Sequence, residues 1–210
     1  MEKNFSCTSC GAPVVFKSLG SLVSVCSFCR STLVRNDLNL STLGKVAEVP
    51  DDISPFQIGT QGVFEGRNFE IIGKLKAKWE NGFWNEWNLL FSRGPEGWLG
   101  EAMGQLTISF LHDFENISPG DVSVGTILDI DGKKFEADDI REAVYIDIKG
   151  EIPFITSANS KKKSVGFTGP GHTFATLEFF EREKPFLYVG RYVSFDECHF
   201  KSLRELDGWS

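Results

Sequence analysis

No apolar run in this chain approaches the roughly 20 residues needed to span a bilayer as a helix, so no direct membrane insertion is expected. The opening stretch, MEKNFSCTSC, carries no apolar segment of the secretory kind, which points to the cytoplasm. Histidine is scarce. His112, His172 and His199 are scattered and no nucleophile motif accompanies them, so the chain is expected not to be an enzyme. The turn GPGH, residues 169–172, has neither the lysine nor the following helix of a phosphate loop. Basic charge is short too: 22 Lys and Arg stand against 29 Asp and Glu. The shortfall is uneven, with a formal +3 in residues 1–36 and −10 in the remainder. An acidic body repels nucleic acid and anionic membrane surfaces, so no nucleic acid partner is expected. Tyrosine numbers only 3 while phenylalanine numbers 19, and few apolar positions repeat at helical spacing; the balance leans to β structure.

What the chain does have is two C-x-x-C pairs, Cys7 with Cys10 and Cys26 with Cys29, with fifteen residues between the pairs. In a reducing cytoplasm such pairs point to metal or redox chemistry rather than disulfides. A two-residue spacer lets one tight turn aim both sulfurs at a single point. Two such turns supply four thiolates, which suits tetrahedral zinc in a ribbon. A redox pair with two spectators, or a single iron in a rubredoxin-like site, is the competing reading. Gly11 follows the first knuckle, where a residue tolerating positive φ is useful; Arg30 holds the matching place in the second. With four thiolates and Zn²⁺ counted, the ribbon keeps a charge of only about +1, a weak electrostatic footprint. A folding staple or a knob that docks on protein is the better expectation. Cys198, beside His199, reads as a half-buried thiol.

Residues 36–55, NDLNLSTLGKVAEVPDDISP, read as a linker with a short helix around 38–47. Beyond it lies a concealed repeat. IGTQGVFEGRNFE, 58–70, aligns without gaps to VGTILDIDGKKFE, 124–136, at a constant offset of 66. Each copy reads as strand, tight turn, strand, with Gly66 and Gly132 in the turns. Later segments such as GQLTISF, TFATLEFF and FLYVGRYVSF continue the β pattern, while SANSKKKS, 157–164, reads as a solvated hairpin loop. The expected architecture is all-β: a zinc ribbon over 1–35, the linker 36–55, a first β unit over 56–118 and a second over 119–210 with a short C-terminal tail. The two units are expected to be related small SH3-like barrels or meanders, packed face to face.

The segment FWNEWNLLFSRGPEGWLGEAMG concentrates three of the five tryptophans, interleaved with carboxylates. Trp84, Glu86, Trp98 and Glu101 form the candidate ligand or partner face. Aromatic rings beside carboxylates suit a cation, and aromatic anchors suit a protein partner. Glu151 joins this set because it stands 65 residues after Glu86, at a nearly equivalent place in the second copy. The competing reading makes the tryptophans core residues and the glutamates structural latches. Two function classes follow: an adaptor that docks on a protein partner, or a binder of a small cationic ligand such as a polyamine.

Trp84, Glu86 and Trp87, then Trp98 and Leu99, then Glu101 and Gly104 spell W-x-E-W…W-L-x-E-x-x-G, and Gly150 to Pro153 spell G-E-[LI]-P. With these motifs, and Gly190 to Val193 near the end, the stretch 56–198 resembles a bacterial domain-of-unknown-function family in which an N-terminal cysteine ribbon is a known accessory. The resemblance implies a cytoplasmic protein encoded near polyamine-pathway enzymes or envelope-stress and phage-shock-type proteins. It implies no activity.

Overall fold

The computed structural model describes residues 3–36, 39–46, 53–114, 117–181 and 183–205. Among them, every regular element except two single 3₁₀ turns is an antiparallel strand, and no helix is long and apolar enough to cross a membrane.

In the ribbon, β1 (Lys3–Ser6) pairs with β2 (Pro13–Phe16), while β3 (Val23–Val25), β4 (Ser31–Asn36) and β5 (Asn39–Lys45) form a meander. The helix expected around 38–47, and the linker expected over 36–55, are corrected by β5. It pairs with β4 from Asn36↔Asn39 to Ser31↔Lys45. Leu40 rests on the ribbon core, and the Ser, Thr and Gly that read as turn chemistry make up an exposed edge strand. Residues 47–52 of the expected linker lie outside the described residues.

The body contains two five-stranded meanders. One is β6 (Gln61–Phe64), β7 (Arg67–Trp79), β8 (Gly82–Phe91), β9 (Gly97–Ala102) and β10 (Gln105–His112). The other is β11 (Ile127–Ile130), β12 (Lys133–Ile152), β13 (Lys161–Thr168), β14 (Thr173–Phe180) and β15 (Phe186–Val193). Because β7 also pairs with β12 and β10 with β15, hydrogen bonding runs through β8, β9, β10, β15, β14 and β13 and back: a closed ring of eight strands.

The meanders follow each other element by element. β6 and β11 are 66 residues apart at both ends. Glu65-Gly66 (φ 49° and 71°) and Asp131-Gly132 (φ 52° and 75°) form matching left-handed turns of the kind favoured in two-residue hairpins. Lys78 even lies opposite Val144, its own counterpart at that spacing. The halves diverge at the next hairpin. Trp79 turns back at once, pairing with Gly82. β12 instead runs past the equivalent Tyr145, pairs with β7, and at Glu151 and Ile152 reaches β3 of the ribbon.

Each meander has an apolar and a polar face. The apolar faces build separate cores: Phe69, Ile71, Trp87, Leu89 and Leu99 in the first, Phe135, Val165, Phe167 and Leu177 in the second. The polar faces line the space inside the ring. This corrects the reading of 157–164 as a solvated loop. Lys161 to Ser164 begin β13, and strand alternation turns Lys162 inward to full burial.

A third core joins Val23, Val34 and Val46 of the ribbon to Leu75, Ala77, Tyr145, Ile148 and Ile152 of the body, so the ribbon is not a separate bead. The C-terminal segment is corrected as well. Rather than trailing from the second unit, it crosses to the first: Lys201 and Gln61 exchange backbone hydrogen bonds, and Phe200 and Leu203 pack on the first core. Cys198 is fully buried there, not half-buried.

Among the described glycines, Gly73 has the tightest surroundings, where β7 meets β12. A Cβ on Gly73 would fall 1.9 Å from the Glu151 carbonyl oxygen, a backbone atom that cannot step aside. At Gly66 a Cβ meets nothing within 4 Å, and only the left-handed φ opposes it. Gly73→Ala is therefore expected to cost about 3 kcal/mol or more in urea unfolding, against roughly 1–2 kcal/mol for Gly66→Ala.

Candidate metal centre and central cavity

The two knuckles are built alike. Gly11 N–H donates to the Cys7 carbonyl and Arg30 N–H to the Cys26 carbonyl, at 2.8 and 2.9 Å. Both closing residues take positive φ, 76° for Gly11 and 61° for Arg30, so the second turn carries modest strain that the first avoids. The four sulfurs of Cys7, Cys10, Cys26 and Cys29 lie within 4.8 Å of one another. Cys7 is 3.6 Å from Cys29, and Cys10 is 3.8 Å from Cys26. Tetrahedral ligands at a zinc–sulfur bond of about 2.3 Å would be about 3.8 Å apart. The donor set therefore fits a four-coordinate metal with no position left open for substrate.

Glu151 is placed at the junction of ribbon and body, outside the cavity that Trp84 and Trp98 line. Its carboxylate accepts the backbone N–H groups of Lys17 and Ser18, at 2.8 and 3.1 Å, and its own carbonyl accepts Asn88 Nδ2 at 3.1 Å. Asn88 also donates to Glu96, which takes the Ser18 hydroxyl on its other oxygen. Burial pushes the Glu151 carboxyl up from its ordinary range, and the two N–H donors hold it part of the way down. The expected equivalence of Glu86 and Glu151 is thus corrected. Glu86 lies on β8 and Glu151 near the end of β12, because the chain lengthens between Tyr145 and Ser160 and shifts the repeat's spacing.

The remaining candidates lie around one cavity of about 470 Å³ inside the eight-stranded ring. Its wall includes Trp84, Glu86, Trp98, Phe154, Glu178 and Tyr188 at a buried end. Thr107, Ser109, Ser164 and Thr176 line its middle, and Asp138, Thr168 and Tyr192 reach an exposed rim. Of the expected face, Trp84, Glu86 and Trp98 meet here. Glu101 borders the same cavity but is tethered through one oxygen, Oε2, which accepts Ser54 Oγ, Asn85 Nδ2 and Trp87 Nε1 at 2.8 to 3.1 Å.

Behind the buried end stands the group that sequence reasoning missed. Lys162, with no exposed side-chain surface, donates to Glu86 Oε1 at 2.5 Å and to Glu178 Oε1 at 2.6 Å. Its ammonium lies 4.8 Å from the centre of the Tyr145 ring and 5.4 Å from that of Trp84. Glu86 further accepts Trp84 Nε1 at 2.6 Å and the Tyr145 hydroxyl at 3.1 Å. Burial acts against the charge on Lys162, but the two carboxylates more than offset it, and its pKa is raised. Burial pushes the Glu178 carboxyl up to about 7, with Lys162 pulling it down and Glu86 adding to the rise. Tyr145 is held well above the phenol range by burial and by the Glu86 and Glu178 charges, so it serves as a neutral donor. The signal that could have found this cluster was the β pattern of KKKSVGFT, which puts Lys162 on one face with Ser164 and Gly166.

In comparisons with known proteins, residues 57–195 match a family model described as a domain of unknown function, DUF4178. No curated protein and no solved structure matches.

Glu151 is the sharpest test of the junction. Glu151→Ala strands the buried N–H groups of Lys17 and Ser18, and is expected to cost about 2–4 kcal/mol. Amide hydrogen exchange at 17–25 should accelerate well before exchange in β8 does.

Proposed function

The chain belongs to the DUF4178 family, and from that footing we propose that it is a zinc-containing binding protein without catalytic turnover, holding a small cationic ligand in its central cavity. The observation that carries this reading is the lining of the cavity: indole and phenol rings beside Glu86, Glu178 and Asp138, with Arg141 in the lining paired to Asp139, within an eight-stranded ring. Ring faces attract cations, and partly desolvated carboxylates supply charge-assisted hydrogen bonds. Turnover is not part of the proposal because Glu86, Lys162, Glu178 and Tyr145 bond to one another, as a scaffold does. A polyamine is a ligand of suitable chemistry, in keeping with the gene neighbourhoods that the family resemblance implies. A reducing cytoplasm suits ribbon cysteines that are not in disulfides. The matching turns and strand order support descent of the two halves from one duplicated unit.

A second reading keeps the protein partner but moves the contact. Phe28, at the tip of the second knuckle, is 72% exposed, with Leu19 and Leu22 exposed on the same ribbon. The exposed Phe28 ring is a better anchor for an adaptor than the inward-turned tryptophans.

Metal analysis of protein purified without added metal should find one zinc per chain, lost in Cys10→Ser. Less than half an equivalent, or iron in its place, would remove the zinc assignment. Because the third core ties ribbon to body, the same variant should also lower the melting temperature of the body.

Titration calorimetry with spermidine, and glucose as a neutral control, tests the cavity. Binding tighter than about 1 mM is expected. Below pH 7 a cation must displace a proton from Glu178, so affinity should fall from pH 8 to pH 6, by up to about tenfold per unit below 7. Absence of amine binding at any pH in this range would sink the proposal.

A further inference from the structure

Resting on the cavity as a cation site, we infer that Lys162 determines the charge its ligand carries: it is the chain's own ammonium, seated between Glu86 and Glu178, and it leaves the buried end able to take one cationic group, not two. The seat has the chemistry of an alkylammonium site. Two carboxylate oxygens lie at 2.5 and 2.6 Å, and the rings of Tyr145 and Trp84 flank the nitrogen. The chain fills that seat from its own β13.

What remains is one carboxylate's worth of charge. Glu86 is the more heavily engaged, with Oε1 accepting Trp84 and Lys162 and Oε2 accepting Tyr145. Glu178 accepts Lys162 through Oε1 and borders the cavity. The charged or titratable groups around Glu178 are Lys162 from its own hairpin, Glu86 from β8, Tyr145 from β12 and Tyr188 from β15. Among the described residues, Lys162 is the cation of this group. With it in place, Glu178 is the less engaged acceptor offered to a ligand, and a second ammonium at short spacing would meet only Glu86, whose charge Lys162 already balances. Without it, Glu86 and Glu178 would be two adjacent anions with a vacated seat between them. Specificity as a difference of affinities would then invert in favour of a dication.

The test compares propylamine with 1,3-diaminopropane, whose two ammonium groups are close enough to share the buried end. Calorimetry at pH 8 is run on wild type, Lys162→Met and Lys162→Arg, full-length in each case. The ratio of affinities, diamine over monoamine, should rise at least about tenfold in Lys162→Met and stay near the wild-type value in Lys162→Arg. If both amines bind but the ratio in Lys162→Met is unchanged, the inference falls while the cation site stands. If neither amine binds to wild type, the cation site falls and the inference with it. Should Lys162→Met fail to fold, Glu178→Gln decides. It leaves the Lys162–Glu86 pair intact and should weaken propylamine at least about tenfold; unchanged binding overturns the inference.

Discussion

β12 is twenty residues long because it serves four neighbours in succession: β11 and β13 through its first half, β7 through its second, and β3 of the ribbon at Glu151 and Ile152. A strand has two edges, so one segment can hold four partners only by passing from one sheet to the next along its length. Gly150, at φ 65° and against the Ile72 carbonyl, and Gly73 opposite it mark where that passage is tightest. The closure of the ring, the seating of the ribbon and the shape of the cavity all follow from this shared strand.

The second constraint is the polar interior. Lys162, Glu86 and Glu178 are largely withdrawn from water, and desolvation costs several kcal/mol per ion. Their mutual attraction offsets much of that, yet an apolar trio of similar volume would be as stable or more so. Fold stability therefore gives no reason for three ionisable side chains to stand at the buried end of a cavity. Glu101 and Glu151 differ in kind: each is an acceptor for donors that folding has already buried.

The four-cysteine cluster and the β class were legible because both rest on short spacings, two residues between sulfurs and two residues per strand period. The paired turns at Gly66 and Gly132 were legible for the same reason. The polar strand faces were misread because alternation tells which residues share a face, not which side of the sheet is wet. In a two-core body wrapped around a cavity, the polar face of β13 is the inside. The longer connection between Tyr145 and Ser160 breaks the constant spacing, and the partner of Glu86 is Lys162, 76 positions away and of opposite charge. Residues 39–45 looked like a connector because an exposed edge strand shares its composition with turns.

The C-terminal crossing bears on the order of events during synthesis. The first core is completed by Cys198, Phe200 and Leu203, which are made after every strand of the body. Until the ribosome has passed them, the first unit must wait with an unfinished apolar face, and β10 must wait for β15. The contacts that close the ring and complete the first core are distant in sequence, the kind that form late. A nascent chain of this design keeps that apolar face uncovered until Phe200 and Leu203 have been made.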